Sequence, residues 1–298
     1  MNSRQLHYAI LLSKVRNFSQ VAEKLNISQP ALSKQISALE SEMGVKLFDR
    51  SSIPLTLTPA GEHFVAEAEE LLYKESQLIK SMELFQSGEA GTLTIGTTPF
   101  RSAYLVEDTI GKVRKKFQGI RIHLCEEGGD LVRKDAAEGK FDLAIVNLPV
   151  DDSVLEVHPL EADRLVLVLS EAMAHSFGFS GDKICFEDCK ALPFVVVGTG
   201  QEMRQLFDKL CARGNFTPVI AVETVNLTTS WSIARAGIAA TLLPQQFVTQ
   251  MPMDGMKMFE LVDAPYIRRP VVVTRRDQVM TPAAKYALEL MTGKTTAE

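Results

Sequence analysis

Across Ser87-Gly88-Glu89-Ala90-Gly91 the apolar pattern of this chain changes its period. Before that point apolar residues recur every third or fourth position, the spacing of helices. Beyond it, short strand-like runs alternate with helical ones, the mark of an α/β sheet domain. The chain therefore divides into a helical N-terminal part and an α/β C-terminal part, joined at a glycine-rich polar hinge. A length of 298 residues suits two or three units, and 46% hydrophobic residues supply their cores. The expected units are 1–58, a single long helix over 59–87, and 88–298.

Within the first unit, Ser19 is expected to cap a short helix with Val21, Ala22 and Leu25 on one face. Asn26-Ile27 makes a tight turn, and Ser28 caps a second helix with Pro30 in its first turn, where proline is tolerated. Ile27 and Leu32 form a hydrophobic staple across that cap. Leu32, Ile36, Leu39 and Met43 then line one apolar stripe. Away from the stripe stand Gln29, Ser33, Lys34 and Ser37, the residue types that reach base edges and phosphates from a helix in a major groove. Gly44–Arg50 and Leu55–Thr58 flank Ser51-Ser52-Ile53-Pro54 as a small hairpin, which brings the cations of Lys46 and Arg50 beside a nucleic-acid backbone.

Charge is distributed to match. The whole chain carries −5, but residues 1–58 hold seven Lys/Arg against four Asp/Glu, and 59–87 hold two against six. Positive charge at one end fits a local DNA-contacting module. On spacing alone, a plain helical corner remains an equal alternative, because amphipathic helix pairs are common.

The run from Phe18 to Glu40, with Ser28-Gln29-Pro30 at its centre, closely resembles the DNA-binding signature of LysR-type transcriptional regulators. Gly44-Val-Lys-Leu-Phe-Asp-Arg50 and Leu57-Thr-Pro-Ala-Gly61 extend the resemblance, without a gap, over about the first sixty-five residues. It implies a winged helix-turn-helix in which Ser28-Gln29-Pro30 opens the recognition helix and Arg50 lies in the wing.

Thr58 caps the next helix, which starts at Pro59. Phe64, Ala68, Leu71, Leu78, Met82 and Phe85 follow a 3/4 alternation interrupted only by Glu75, a heptad seam suited to helix pairing. The resemblance implies an antiparallel pairing of this helix between subunits, giving a homodimer or homotetramer.

In the C-terminal part, strands are expected at Thr92–Thr97, Ile120–Cys125, Phe141–Val146, Arg164–Leu169, Phe194–Val197, Val219–Val222, Ala239–Leu243 and Pro270–Val273. Helices are expected at Ala103–Phe117, Leu131–Glu138 and from about Pro282. Strand–helix–strand order predicts parallel pairing. Two crossings, at His158–Arg164 and Ala264–Pro270, predict two lobes, one of about 91–161 with 267–298 and one of about 162–266. The arrangement is that of a periplasmic binding protein, and the family resemblance implies the same, with the effector in the cleft. Overall the chain is expected to be an α+β multi-domain protein with a winged helix-turn-helix, a linker helix and this two-lobed α/β domain.

Ligands in open α/β sheets sit at the carboxyl ends of strands, beside helix starts. That rule selects Thr97, Thr98, Pro99, Phe100, Arg101 and Gly129 in lobe one. In lobe two it selects Gly198, Thr199, Gly200, Gln201, Thr224 and Asn226. Hydroxyls and bare amides there suit a small carboxylate, although each residue taken singly also serves as an ordinary cap or turn. Arg101 and Arg204 are available to neutralise an acid.

Enzymatic readings find little support. There is no nucleophile elbow, no Walker loop and no metal-spaced His/Cys cluster, and the five histidines are scattered. Cys125, Cys185, Cys189 and Cys211 are sparse, which fits reduced thiols in a cytoplasm. Peroxide-sensing members of the family carry a reactive cysteine in the segment matching Gly200–Arg204, and this chain has none there. The expected partners are double-stranded promoter DNA, a small-molecule effector, further copies of the chain and RNA polymerase. No cofactor, metal, signal peptide or membrane span is expected.

Overall fold

The computed structural model describes residues 1–52, 54–84, 90–99, 101–102, 109–199, 201–263 and 267–293. The chain forms two compact units, Met1–Gln86 and Ser87–Glu298.

The N-terminal unit contains α1 (Ser3–Val15), α2 (Phe18–Lys24), α3 (Gln29–Met43), β1 (Phe48–Asp49), β2 (Thr56–Leu57) and α4 (Pro59–Leu84). Helix α1 has a capping box: the Asn2 side chain accepts the Gln5 N–H, and the Gln5 side chain accepts the Asn2 N–H. The cap of α2 is Asn17, whose Oδ1 accepts the N–H groups of Ser19 and Gln20, and not the expected Ser19. Asn26 takes a left-handed backbone (φ 53°) and reverses the chain into α3, where the Ser28 Oγ accepts the Ala31 N–H. Leu12, Val21, Leu32, Ile36, Leu39, Leu47 and Phe48 make one core, so α3 and the β1–β2 hairpin are packed on common ground.

Thr58 joins the hairpin to α4. Its Oγ1 accepts the Gly61 N–H, as expected of the cap, and also donates to the Lys46 carbonyl at 2.7 Å. A side chain at Gly61 would place Cβ 1.9 Å from the Leu47 carbonyl oxygen, so only glycine permits this approach. The first half of α4 packs on α1 and buries Ala68 and Tyr73, with Lys14–Glu69 and Ser3–Glu75 bridging the two helices. The seam expected to pair between subunits therefore begins inside the fold of its own unit. Leu71, Leu78, Ile79 and Met82 remain exposed, while Phe85 lies outside the described residues.

Among the described residues, the C-terminal unit holds two five-stranded sheets and one two-stranded sheet. Lobe one carries β3 (Ala90–Thr97), α5 (Gly111–Lys116), β4 (Gly119–Glu126), α6 (Gly129–Ala137), β5 (Leu143–Asn147) and β6 (Leu155–Pro159). Lobe two carries β7 (Asp163–Ser170), α7 (Glu171–Ser176), β8 (Lys183–Ile184), β9 (Pro193–Val197), α8 (Glu202–Arg213) and β10 (Val219–Thr224). It continues with α9 (Leu227–Arg235), β11 (Thr241–Pro244), α10 (Gln245–Val248), β12 (Met256–Leu261) and β13 (Ile267–Arg268). The chain then returns to lobe one with β14 (Pro270–Arg275) and α11 (Pro282–Thr292).

In lobe one the strand order is β4-β3-β5-β14-β6. The pairs β3–β4 and β3–β5 are parallel, but the returning β14 runs antiparallel to β5 and β6. Lobe two is also mixed: β7 runs antiparallel to β11 and β12, while β9–β10 and β8–β12 are parallel. The expected all-parallel pairing is thus corrected. A strand that enters by a crossing from the other lobe has no helical crossover to set its direction. Strands β6, β8, β12 and β13 are additional to those expected. The two passages between lobes lie side by side, because Ile267 and Arg268 of β13 pair antiparallel with Arg164 and Asp163 of β7.

Candidate nucleic-acid interface and inter-lobe cleft

The apolar stripe of α3 (Leu32, Ile36, Leu39) is fully buried. Lys34 points directly away from it, with Gln29, Pro30, Ala31, Gln35 and Ala38 also exposed. Ser33 and Ser37 are half-buried on the flank nearest the hairpin, where Arg50 covers them. Arg50 Nη1 donates to Ser33 Oγ at 3.3 Å and Nη2 to Ser37 Oγ at 3.1 Å, while its guanidinium lies 5.1 Å from the Phe18 ring centroid. Arg50, expected to hold a phosphate, is thus bonded to the recognition helix itself, and 40% of its side chain stays exposed.

Behind Arg50 lies Glu40, which the sequence did not single out. Its buried carboxylate accepts the N–H groups of Leu47 and Phe48 and pairs with Lys46 at 3.1 Å and Arg50 at 3.4 Å. Burial raises the pKa of Glu40, but the bonds from Lys46, Leu47 and Phe48 outweigh it and hold the group below the ordinary glutamate value. One carboxylate so joins the end of α3 to both cations of the hairpin.

In the C-terminal unit, Thr97 ends β3 fully buried, and neither its Oγ1 nor that of Thr98 has a hydrogen-bond partner among the described residues. Pro99 is exposed. Arg101, buried, donates from Nη2 to Asn147 Oδ1 at 3.1 Å. Gly129 opens α6 and faces the Thr98 methyl, to which a Cβ would come within 4.0 Å. Phe100 and Gly200 lie outside the described residues. In lobe two, the Gly198 N–H donates to the Thr224 carbonyl, Thr199 is exposed, and Gln201 Nε2 donates to the Val225 carbonyl. Asn226 serves as the N-cap of α9, accepting the Thr229 N–H at 2.8 Å. Arg204 is held by Asp208 and Glu223 on its own lobe.

The lobes meet through residues not selected from the sequence. Asn147 Nδ2 at the end of β5 donates to Glu202 Oε2 at 2.6 Å, and Arg268 Nη2 donates to the same oxygen at 2.8 Å. Arg268 also faces buried Asp163 at 3.7 Å, and Asp163 Oδ1 accepts the Gln246 N–H. Burial pushes the Glu202 pKa up, but Arg268, Asn147 and Arg101 together hold it below its ordinary value. Asn147 was legible as the polar end of the apolar run Leu-Ala-Ile-Val-Asn at a strand's carboxyl end; Glu202 and Arg268 carried no such mark.

Residues 3–62 match the bacterial regulatory helix-turn-helix protein, lysR family, and residues 86–295 match the LysR substrate binding domain. The chain belongs to the LysR family. This LysR-type regulator is 27% identical to the HTH-type transcriptional regulator YcgK of Bacillus subtilis (strain 168), over 97% of its own length and 94% of that protein's. It is 25% identical to BsdA of the same organism, over 97% and 100%. Its fold matches CbnR, a LysR family transcriptional regulator, with TM-score 0.63 at 20% identity and full coverage of both chains. A full-length OxyR variant from Pseudomonas aeruginosa gives 0.65 at 21% identity, covering 98% and 94%.

As a family member the protein is a DNA-binding transcriptional regulator with an effector-binding domain, and not an enzyme. Burial raises the thiols of Cys189 and Cys211 to about 12, far from the thiolate state that reacts. Among the described residues, no helix is long and apolar enough to cross a membrane and no His/Cys/Asp/Glu group is placed to hold a metal.

Proposed function

We propose that this regulator binds promoter DNA through Ser28, Gln29, Pro30, Ser33, Lys34 and Ser37 of the recognition helix. Lys34 and the α3 start face the groove, Lys46 meets the backbone, and Arg50 both fixes the wing and offers its exposed edge to a phosphate. Copies paired through the exposed half of α4 present two such heads to a partly palindromic site. Acting in the cytoplasm, the bound assembly governs RNA polymerase at the promoter.

The effector is a small carboxylate held between the lobes near Thr97, Thr98, Pro99, Arg101 and Gly129 on one side and Gly198, Thr199, Gln201, Thr224 and Asn226 on the other. The observation that supports this is the buried Arg101–Asn147 pair at the carboxyl ends of β3 and β5, beside two threonine hydroxyls without hydrogen-bond partners among the described residues. Such a set favours an anion with acceptor oxygens. By preferring one relation of the lobes, the ligand shifts the population of DNA-bound arrangements. Footprinting of the regulated promoter with small carboxylates tests this: the protected length or an internal hypersensitive position changes with the right acid. A footprint indifferent to every acid, but sensitive to a neutral metabolite, overturns the carboxylate assignment.

A further inference from the structure

Asn147, at the end of β5, is bonded from both lobes. Its Oδ1 accepts from Arg101 at 3.1 Å and its carbonyl accepts from Arg133 Nη2 at 3.2 Å, both within lobe one. Its Nδ2 donates at 2.6 Å to Glu202 Oε2, in the first turn of α8 in lobe two. We propose that the Asn147–Glu202 bond is a latch that holds the lobes in the relation seen here, and that opening it is enough to change the DNA-bound arrangement. The second half of this inference rests on the reading above, in which the relation of the lobes governs the DNA complex.

The partners force the orientation of this amide. An arginine only donates and a carboxylate only accepts, so Asn147 turns its oxygen to Arg101 and its nitrogen to Glu202. Turning the amide over would break both bonds. Asn147 is only 9% exposed, so a lobe movement that carries Glu202 away strips a nearly buried donor of this acceptor. A bond to a charged group is the costlier kind to lose, and that cost holds the latch shut. The opened state is also accessible. Glu202 keeps 41% of its side chain exposed, and its bond from Arg268 on the crossing strand β13 does not depend on Asn147. The residue after Asn147, Leu148, donates its N–H to the Arg269 carbonyl at 3.0 Å, so the latch lies beside the passage between lobes. Two discrete states of one bond at that place form an element that lobe position can set.

Exchanging donor and acceptor tests the latch. Asn147→Asp keeps an acceptor for Arg101 but sets two carboxylates against each other, whereas Asn147→Asp combined with Glu202→Gln returns a donor–acceptor pair of reversed polarity. Glu202→Ala opens the latch from its half-exposed side and serves if Asn147→Asp does not fold. Amide hydrogen exchange of the full-length proteins is followed at mildly alkaline pH in the segments around Asn147 and Glu202. Footprints on the regulated promoter are recorded in parallel, with no effector added. Asn147→Asp and Glu202→Ala are expected to exchange roughly tenfold faster than the wild type in both segments, and the double variant to return to within about twofold of it. The footprint is expected to change in the two single variants and to be restored in the double variant. Wild-type exchange in both single variants, or no recovery in the double variant, overturns the latch. Exchange that loosens and recovers over a constant footprint overturns instead the reading that lobe position governs the DNA complex, and the switch with it.

Discussion

The Glu40 carboxylate accepts the backbone N–H of Phe48 at 3.2 Å, so the recognition helix and the first strand of the wing are one hydrogen-bonded piece. The same oxygen accepts the Leu47 N–H at 3.0 Å. Replacement by alanine leaves two buried amides without an acceptor, a loss of roughly 2–5 kcal/mol in unfolding free energy of the N-terminal unit. Because the folded pKa of Glu40 is lowered, its stabilisation is complete above the ordinary value of 4.5 and fades as pH falls through the folded value. Denaturant unfolding of wild type and Glu40→Gln across acidic pH checks this: the gap between them narrows as pH drops. A gap that widened toward acid would contradict the assignment.

Gly61 is the point where α4 passes the hairpin, with no room for a Cβ beside the Leu47 carbonyl. Gly61→Ala is expected to lower the stability of the N-terminal unit by about 1–3 kcal/mol, as overpacking does. Calorimetry of the full chain reads it as a downshifted N-terminal transition with the C-terminal one unmoved.

Arg50 uses a planar fork, with one nitrogen on each of two serines and its face toward Phe18. Lysine offers the charge without that geometry. Fluorescence anisotropy should therefore show Arg50→Lys losing most of the promoter affinity that Arg50→Ala loses. Full recovery by lysine would mean that charge alone matters there.

Leu78 and Met82 are exposed on the half of α4 that extends beyond its packing on α1. Leu78→Glu with Met82→Glu is expected to reduce the assembly to monomers in light scattering, with the unfolding midpoint of the C-terminal unit unchanged. An assembly of unchanged mass would move the interface elsewhere.

Much of this was legible from local chemistry. Ser28, Pro30 and the Leu32–Ile36–Leu39 stripe mark α3 because cap, proline and periodicity act within a few residues. Asn2 and Gln5 have the spacing of a capping box, but the short apolar patch after them does not advertise a helix start, and Asn17 takes the cap expected of Ser19 two residues later. Long-range pairing was less legible. The direction of β14 depends on a chain that leaves lobe one and returns, and nothing in Pro270–Arg275 records it. The Asn147–Glu202–Arg268 cluster joins positions 55 and 66 residues apart from Glu202, so its members are ordinary polar residues until the lobes fold.

The central claim is sequence-specific promoter recognition by the face of α3, and the most direct measurement is a pull-down of sheared source DNA by the purified protein. It is done at physiological salt with competitor, in parallel with Ser33→Ala and Lys34→Ala. The wild type is expected to enrich one or a few promoter regions. Ser33→Ala is expected to lose roughly 1–3 kcal/mol on those regions and little on random duplex, while Lys34→Ala weakens both and flattens the salt slope by about one. Uniform recovery of the genome by the wild type, or equal losses on promoter and random DNA for Ser33→Ala, would contradict the account.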